Sequence, residues 1–316
     1  MTDDVTGSGM RVGLIGVGNM GGRIGRRLHE SGIEIRGFHR DAAKVERWSI
    51  EAASSLDELV AWADVVALCL PDSPAVESVL LGEAGVIAQL RPDQSVVDFT
   101  SALPASTRKL AALAAARGAG YVDAPVSGGA RSAEIGSLTI MAGGTRDAID
   151  SLRWLFAPIA GTVHHMGASG SGHTTKILNN FLSAISLAAT SEAMVGARLA
   201  GLDPARFLDV VSTSSGRSYA TETRFPAIVR GDYLEANGGI SIDLMVKDMV
   251  SFLDVAAELD IPSYTGPGAL AAFKTAVALG YGDSINNRVV DAIGDVAGGV
   301  RLADTATDAS AASTSA

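Results

Sequence analysis

The stretch Val12-Gly13-Leu14-Ile15-Gly16-Val17-Gly18-Asn19-Met20-Gly21 decides the fold of the first half of the chain. A short apolar strand runs directly into three glycines spaced as G-x-G-x-x-G, and a helical pattern that includes Ile24 and Leu28 follows. Gly16 permits a tight turn after the strand, and Gly21 lets the helix pack closely against it. Strand, glycine turn and helix in this order predict the first βαβ unit of a parallel sheet.

The pattern of apolar residues predicts two domains of different class. In the first half, short β-rich runs alternate with helical segments, which is typical of a parallel sheet. The predicted strands cover residues 11–15, 33–39, 65–70, 95–99, 121–124 and 138–142. After residue 170 helical spacing takes over, and the predicted helices cover residues 174–200, 204–212, 243–259 and 268–279. The expected fold is an α/β Rossmann-type N-terminal domain with a parallel sheet, followed by an all-α C-terminal domain.

The expected domain limits are residues 10–171 for the dinucleotide-binding domain and 172–301 for the helical domain, with flexible tails at 1–9 and 302–316. The glycine-rich segment 167–172 is the expected hinge. A cleft is expected where the two domains join.

Composition excludes several classes of protein. A formal net charge of -10 and the lack of any Lys/Arg run argue against nucleic acid as a partner. The apolar helical segment 178–200 is interrupted by polar residues, and the N-terminal residues lack an apolar signal, so we expect neither a membrane protein nor a secreted one. A cytoplasmic protein is expected, without a metal site. Cys69 is the only cysteine and lies in an apolar run, which predicts a buried, unpaired thiol.

The glycine turn predicts a bound nicotinamide dinucleotide, whose pyrophosphate would lie at the helix N-terminus, contacted by residues 16–21. Gly18 would let the backbone approach the phosphates. About twenty residues further on, an Asp or Glu would bind the ribose of NAD, but this chain has His39-Arg40 there, with Lys44 nearby. These side chains suit the 2′-phosphate of NADP. NADP is therefore the preferred cofactor, and NAD stays open because Asp41 is close to the same position.

Three further motifs point to chemistry. The turn Ser127-Gly128-Gly129 follows a predicted strand, and its consecutive N–H groups can form a nest for a carboxylate. Lys176 opens an apolar helix just beyond the hinge, where a lysine can donate and accept the proton of a hydroxyl group. Asn179 and Asn180 follow on the same helix, three and four residues later. The pair Lys247-Asp248 interrupts another helix and is either a surface ion pair or part of a site.

Together these motifs resemble the β-hydroxyacid dehydrogenase family, which includes 3-hydroxyisobutyrate dehydrogenase, tartronate semialdehyde reductase and, more distantly, 6-phosphogluconate dehydrogenase. The resemblance covers roughly residues 11–290. It rests on the segments 16–21, 70–71, 98–101, 123–129, 170–180, 214–217 and 242–248.

The resemblance implies a role for each matching residue. Lys176 would be the catalytic acid/base, the Ser127-Gly128-Gly129 turn would hold the substrate carboxylate, and Asn180 with Asn179 would bind the substrate. Residues lining the cofactor site would be Leu70, Pro71, Thr100, Ser101 and Lys247. Asp248 would orient Lys247. The family's fold also implies a homodimer or homotetramer built through the helical domain.

The chain departs from the commoner family pattern after the Ser127 turn, where it carries Arg131 and Glu134. Arg131 is expected in solvent or against a second acidic group of the substrate, and the segment 217–219 is also variable. The expected reaction is hydride transfer between NADP(H) or NAD(H) and a small β-hydroxy acid or its semialdehyde. An imine reductase of the same fold and a non-catalytic NADP-binding sensor are the alternatives, and Lys176 argues against both.

Overall fold

The computed structural model describes residues 9–39, 41–82, 85–234 and 240–303. The chain divides into two compact units, Met1–Ile177 and Leu178–Ala316. The boundary that the sequence suggests, between residues 171 and 172, stays a prediction. Arg40, expected in the cofactor site, lies outside the described residues, as do residues 304–316 of the expected C-terminal tail.

The described residues of the first unit form one sheet of nine strands. They are β1 Arg11–Ile15, β2 Glu34–Phe38, β3 Glu51–Ala52, β4 Val65–Leu68, β5 Ser95–Asp98, β6 Gly120–Asp123, β7 Val126–Ser127, β8 Leu138–Gly143 and β9 Ala160–Gly167. The strand order is β3-β2-β1-β4-β5-β6-β8-β7, and β9 pairs with the other edge of β8. The first six strands in this order are parallel. The order 3-2-1-4-5-6 defines a Rossmann-type sheet, as the sequence predicted.

Helices cover both faces of this sheet. They are α1 Asn19–Glu30, α2 Ala43–Glu46, α3 Leu56–Trp62, α4 Ser73–Leu81, α5 Val86–Gln89, α6 Pro104–Ala115, α7 Gly129–Ile135, α8 Arg146–Asp150 and α9 Arg153–Phe156. One apolar core includes Leu14, Ile24 and Leu28, and a second core includes Ile15 and Leu59. Neighbouring residues of β1 therefore enter opposite cores, as expected for a strand that is buried on both sides.

The sheet differs from the prediction at its far end. Strand β8 runs antiparallel to both β6 and β7, so the sheet is mixed rather than wholly parallel. Three strands were missed. The strands β3 and β7 have only two residues each, and most residues of β9 are exposed at the sheet edge, so none of them carries the apolar run that marks a buried strand.

The second unit is helical, as predicted. Helix α10, Ser171–Leu199, begins in the first unit and continues into the second. The further helices are α11 Pro204–Ser212, α12 Phe225–Ile228, α13 Ile242–Glu258, α14 Gly266–Ala276 and α15 Val289–Val296. The π-helical turn Val277–Tyr281 overlaps the end of the predicted helix 268–279. The π-helical turn Ala220–Arg224, the 3-10 turn Asn286–Arg288 and the helices α12 and α15 were not predicted.

The core of the second unit is built around Phe225, Met249 and Phe273. It also contains Leu302, which the sequence analysis placed at the start of a tail. Among the described residues, no helix combines the length and the apolar character needed to cross a bilayer.

Candidate active site

The turn between β1 and α1 contains glycines that are explained by packing of the protein itself and one, Gly18, that is not. Gly16 has φ +96°, and a Cβ there would lie 2.3 Å from the carbonyl oxygen of Cys69. A Cβ on Gly21 would lie 2.0 Å from the carbonyl oxygen of Gly16. Packing of the protein itself therefore requires glycine at both positions.

Gly18 has no such requirement, because a Cβ there would meet no atom of the described residues within 4 Å. It is the N-cap of α1, and no side chain caps the first turn of that helix. Open space over uncapped N–H groups at a helix N-terminus fits a dinucleotide pyrophosphate. The residues around Gly18 therefore fit the predicted cofactor.

Trp48 is a part of this turn that the sequence analysis missed. Its indole N–H donates to the carbonyl oxygen of Val17 over 3.1 Å, and a Cβ on Gly22 would lie 2.1 Å from the indole ring. The guanidinium of Arg23 donates to the side chain and the carbonyl oxygen of Asn19. No local sequence pattern predicts either contact, although the glycine pair 21–22 does indicate that another group packs closely against the start of α1. Met20, the remaining residue of the predicted turn, is half-buried.

The ends of β4 and β5 lie beside the end of β1, because β4 is paired with both strands. The backbone N–H of Leu70 donates to the hydroxyl of Thr100 over 3.0 Å, and the N–H of Thr100 donates to Asp98. Because its hydroxyl accepts from Leu70, the buried Thr100 connects the end of β5 to the end of β4. Leu70 and Ser101 are half-buried, and Pro71 is exposed.

Cys69 lies at the same strand end and is half-buried. Burial of the thiol, and then the charge of Asp98, raise the pKa of Cys69 to about 12. The thiol therefore stays protonated at neutral pH, and it is a poor nucleophile.

At the end of β2, His39 and Asp41 form a hydrogen-bonded turn. The N–H of Asp41 donates to Nδ1 of His39 over 2.9 Å, and the carboxylate of Asp41 accepts from the N–H of Ala43 at the start of α2. Lys44 is exposed on α2. The Asp41 carboxylate, which kept NAD open as a cofactor, is thus engaged by the backbone of its own turn.

The Ser127 turn connects β7 to α7. Gly128 and Gly129 have φ +128° and +74°, so both positions favour glycine. Ser127 is half-buried and is paired with Thr139 of β8. Beyond the turn, Arg131 is exposed, and Glu134 forms an ion pair with Arg23 over 2.9 Å.

Five polar side chains of the first unit form a buried cluster beneath the start of α10: Asp98, Thr107, Tyr121, Asp123 and His173. The carboxylate of Asp123 accepts from the backbone N–H groups of Gly170 and His173, over 2.8 and 2.9 Å. Both regions belong to the sequence motifs 123–129 and 170–180, but neither Asp123 nor His173 has a predicted role.

The rest of this buried polar cluster fixes the orientation of His173. The hydroxyl of Thr107 contacts Nδ1 of His173 over 2.6 Å and the carbonyl oxygen of Leu103 over 3.1 Å. Nε2 of His173 lies 4.0 Å from Asp98. The hydroxyl of Tyr121 donates to Asp98 over 2.9 Å, and burial, followed by the charge of Asp98, raises the pKa of Tyr121 well above its ordinary value.

Lys176 follows His173 by three residues on α10 and is half-buried. Helical geometry places Asn180 one turn further along the face of Lys176. Asn179 is exposed.

In the second unit, Asp248 holds two predicted site residues. Its carboxylate accepts from the amide nitrogen of Asn180 over 2.6 Å and contacts the Lys247 ammonium over 2.9 Å. Because only the NH2 group of an amide can donate, Asp248 also sets which way the Asn180 amide faces. The structure thus pairs Asp248 with Lys247, as the resemblance implied, and adds Asn180. No cluster of His, Cys, Asp or Glu within the described ranges could hold a metal ion.

A Rossmann-type sheet with a glycine turn that fits a dinucleotide is typical of the nicotinamide-dependent oxidoreductases. Comparison with known proteins agrees. Residues 11–167 match the family model for the NAD binding domain of 6-phosphogluconate dehydrogenase. Residues 170–293 match the model for NAD-binding of NADP-dependent 3-hydroxyisobutyrate dehydrogenase.

Individual proteins resemble the chain over most of its length. The 2-(hydroxymethyl)glutarate dehydrogenase of Eubacterium barkeri is 33% identical over 277 residues, which are 86% of this chain and 91% of that protein. Mycobacterium tuberculosis 3-hydroxyisobutyrate dehydrogenase, solved with L-serine, is 30% identical with a TM-score of 0.81, covering 90% of this chain and 99% of that one. Psf3, solved with NADP+ and 2-OPP, is 27% identical with a TM-score of 0.78, covering 89% and 98%.

The chain therefore belongs to the β-hydroxyacid dehydrogenase family, whose members are NAD(P)-dependent dehydrogenases of hydroxy acids.

Two alanine substitutions in the glycine turn should separate cofactor binding from folding. Gly18→Ala should weaken binding of the reduced dinucleotide by on the order of tenfold or more, because its methyl group enters the phosphate space, while the melting temperature without cofactor stays unchanged. Gly21→Ala should lower stability by about 1–3 kcal/mol, because its methyl group overlaps the Gly16 carbonyl. Fluorescence titration and thermal melts measure both. Full cofactor affinity in Gly18→Ala would contradict this assignment of the site.

Proposed function

We propose that the chain is an NADP-dependent dehydrogenase of small β-hydroxy acids and that Lys176 is its catalytic acid/base. The observation that carries this proposal is the placement of Lys176. It lies half-buried on the second turn of α10, whose first turn is hydrogen-bonded to Asp123 at the end of β6. Four residues after Asp123 comes Ser127, the first residue of the turn proposed to bind the substrate carboxylate.

In the proposed reaction, the substrate carboxylate accepts hydrogen bonds from Ser127 and from the N–H groups of Gly128 and Gly129. Asn180, supported by Asn179, binds the substrate next to the reacting carbon, with its amide held by Asp248. Lys247, held by the same carboxylate, would contact the cofactor. Fixing both ends of a small substrate lowers the barrier because the reacting groups no longer lose orientational freedom in the transition state.

Lys176 moves the hydroxyl proton. A bound nicotinamide would supply the acceptor for the hydride of the hydroxyl-bearing carbon. The neutral Lys176 amine takes the O–H proton as the C–O single bond becomes a carbonyl, so that one hydride and one proton leave the substrate. In the reverse direction the Lys176 ammonium returns that proton to the forming alcohol.

The end of β2 supports NADP over NAD. The Asp41 carboxylate is engaged by the N–H of Ala43, and Nδ1 of His39 accepts from the N–H of Asp41. A neutral His39 therefore carries its proton on Nε2, where it can donate to a phosphate oxygen. Lys44 is exposed nearby, and Psf3 was solved with NADP+.

The substrate class follows from what the relatives' names have in common. Their names mention 2-(hydroxymethyl)glutarate, 3-hydroxyisobutyrate, L-serine and L-threonate. Each of these acids carries a hydroxyl group on the second carbon from its carboxylate. In the first three that carbon is a hydroxymethyl group, whereas in L-threonate it belongs to a longer chain. We propose a substrate of this form for the chain, with the exposed Arg131 available to a second acidic group of the substrate.

A homodimer or homotetramer in the cytoplasm is part of the same proposal.

A substrate screen tests the proposal. Purified protein with NADP+ should reduce the cofactor in the presence of one or more of 3-hydroxyisobutyrate, 3-hydroxypropionate, serine, glycerate, threonate and 2-(hydroxymethyl)glutarate, followed by absorbance. The matching semialdehydes with NADPH test the reverse direction. Activity on cyclic imines with none on these acids and semialdehydes would instead indicate an imine reductase.

Cofactor preference has its own measurement. NADPH should bind at least about tenfold more tightly than NADH, the usual effect of losing one or more charge-assisted contacts to a phosphate. Fluorescence titration with both cofactors measures the ratio. Tighter binding of NADH would overturn the preference for NADP and would instead assign Asp41 to the ribose of NAD.

Removal of the proposed acid/base should affect chemistry and spare cofactor binding. Lys176→Ala should lower kcat on the order of 10²–10⁴-fold, the usual contribution of a positioned acid/base, with NADPH affinity unchanged. Lys274→Ala, which removes an exposed lysine of α14, is the matched control and should keep wild-type turnover. Near-normal kcat in Lys176→Ala would remove Lys176 from the mechanism.

A further inference from the structure

The start of α10 lacks a side-chain cap of its own. Gly170 occupies the N-cap position, since its carbonyl oxygen accepts from the N–H of Thr174 over 2.9 Å. A glycine cannot supply the side-chain oxygen that normally accepts from the N–H three residues later. In this helix that N–H belongs to His173.

Asp123 supplies the missing cap from another part of the sheet. One oxygen of its carboxylate accepts from the N–H of Gly170 over 2.8 Å, and the other accepts from the N–H of His173 over 2.9 Å. These are the two donors that a capping box satisfies with two local side chains. A single carboxylate, distant in sequence, satisfies both here. Its negative charge is also favourable beside the positive end of a 29-residue helix.

The surrounding packing leaves this contact little freedom. Asp123 is fully buried. A Cβ on Gly172 would lie 2.2 Å from the carbonyl oxygen of Met141 and 2.9 Å from the Asp123 carboxylate. A Cβ on Gly143 would lie 2.6 Å from both carboxylate oxygens. Glycine at these two positions lets the first turn of α10 lie directly against β6 and β8.

The same carboxylate thereby links the two segments proposed to hold substrate. Asp123 ends β6 and precedes Ser127 by four residues, and Lys176 follows His173 by three residues on one rigid helix. We propose that Asp123 is a positioning residue of the dehydrogenase, which fixes Lys176 relative to the Ser127 turn by capping α10. This inference rests on the proposed function. Asp123 itself touches neither proton nor hydride.

Asp123→Asn tests the proposal with little change in size. An asparagine keeps one acceptor oxygen but turns its NH2 group toward the second N–H donor, so one of the two hydrogen bonds is lost. We expect kcat to fall on the order of 10–100-fold, the effect of a displacement of about 1 Å at a catalytic group. The Kd for NADPH should change less than twofold, since the glycine turn follows a different strand.

Thr145→Ala is the matched control, because Thr145 caps α8 in the same unit through the N–H of Ala148 and lies outside the proposed site. It should lower the melting temperature and keep kcat. Gly172→Ala disturbs the same contact from the helix side, because its methyl group would approach the Asp123 carboxylate. It should lower kcat as Asp123→Asn does, and it tests the proposal if Asp123→Asn folds poorly. Wild-type kcat in a folded Asp123→Asn protein would overturn the proposal, as would an equal loss of kcat in Thr145→Ala.

Amide hydrogen exchange separates this proposal from the proposed function. In Asp123→Asn, exchange at Gly170 and His173 should accelerate at least tenfold relative to the wild type, whether or not a substrate is turned over. Unchanged exchange at both amides would overturn the cap. Absence of turnover by the wild type on every hydroxy acid and semialdehyde, with accelerated exchange in the variant, would overturn the dehydrogenase function while retaining the cap.

Discussion

The contact between the buried Asp123 carboxylate and the backbone N–H groups of Gly170 and His173 determines how α10 begins against the sheet of the first unit. A buried charge is strongly unfavourable unless donors surround it, so the carboxylate and the start of α10 stabilise one another. The neighbouring glycines, Gly143 and Gly172, follow from the same contact because any side chain there would enter the space of the carboxylate or of the Met141 carbonyl. The position of Lys176 is a consequence of how its helix begins.

The second unit uses a carboxylate in a similar way. Asp248 is nearly buried and holds both the amide of Asn180 and the ammonium of Lys247. Each unit thus contains one acidic residue that orients the groups proposed to meet substrate and cofactor. In both cases the acid is satisfied by donors of its own unit, which leaves it unsuited to proton transfer and well suited to positioning.

The fold and the main motifs could be predicted because their signals are local. The glycine turn lies within ten residues, and buried strands and amphipathic helices show their periodicity in short windows. The partners of His173 could not be predicted in this way, since Thr107 and Asp123 are 66 and 50 residues away. Strand β9 was missed for a different reason: its edge position leaves most of its residues exposed, so its sequence lacks a buried pattern. Asp123 stood inside a quoted motif, but only the fold reveals that it caps a helix.

In the proposed enzyme, one contact of the fold places Lys176 at the reacting hydroxyl group. A crystal structure of the protein with NADP+ and a hydroxy acid that it oxidises tests this claim most directly. We expect Nζ of Lys176 within about 2.6–3.2 Å of the substrate hydroxyl oxygen, the substrate carboxylate on the Ser127 turn, and Asp123 still accepting from Gly170 and His173. A complex in which Lys176 points away from the hydroxyl group, or in which α10 starts without Asp123, would contradict the account.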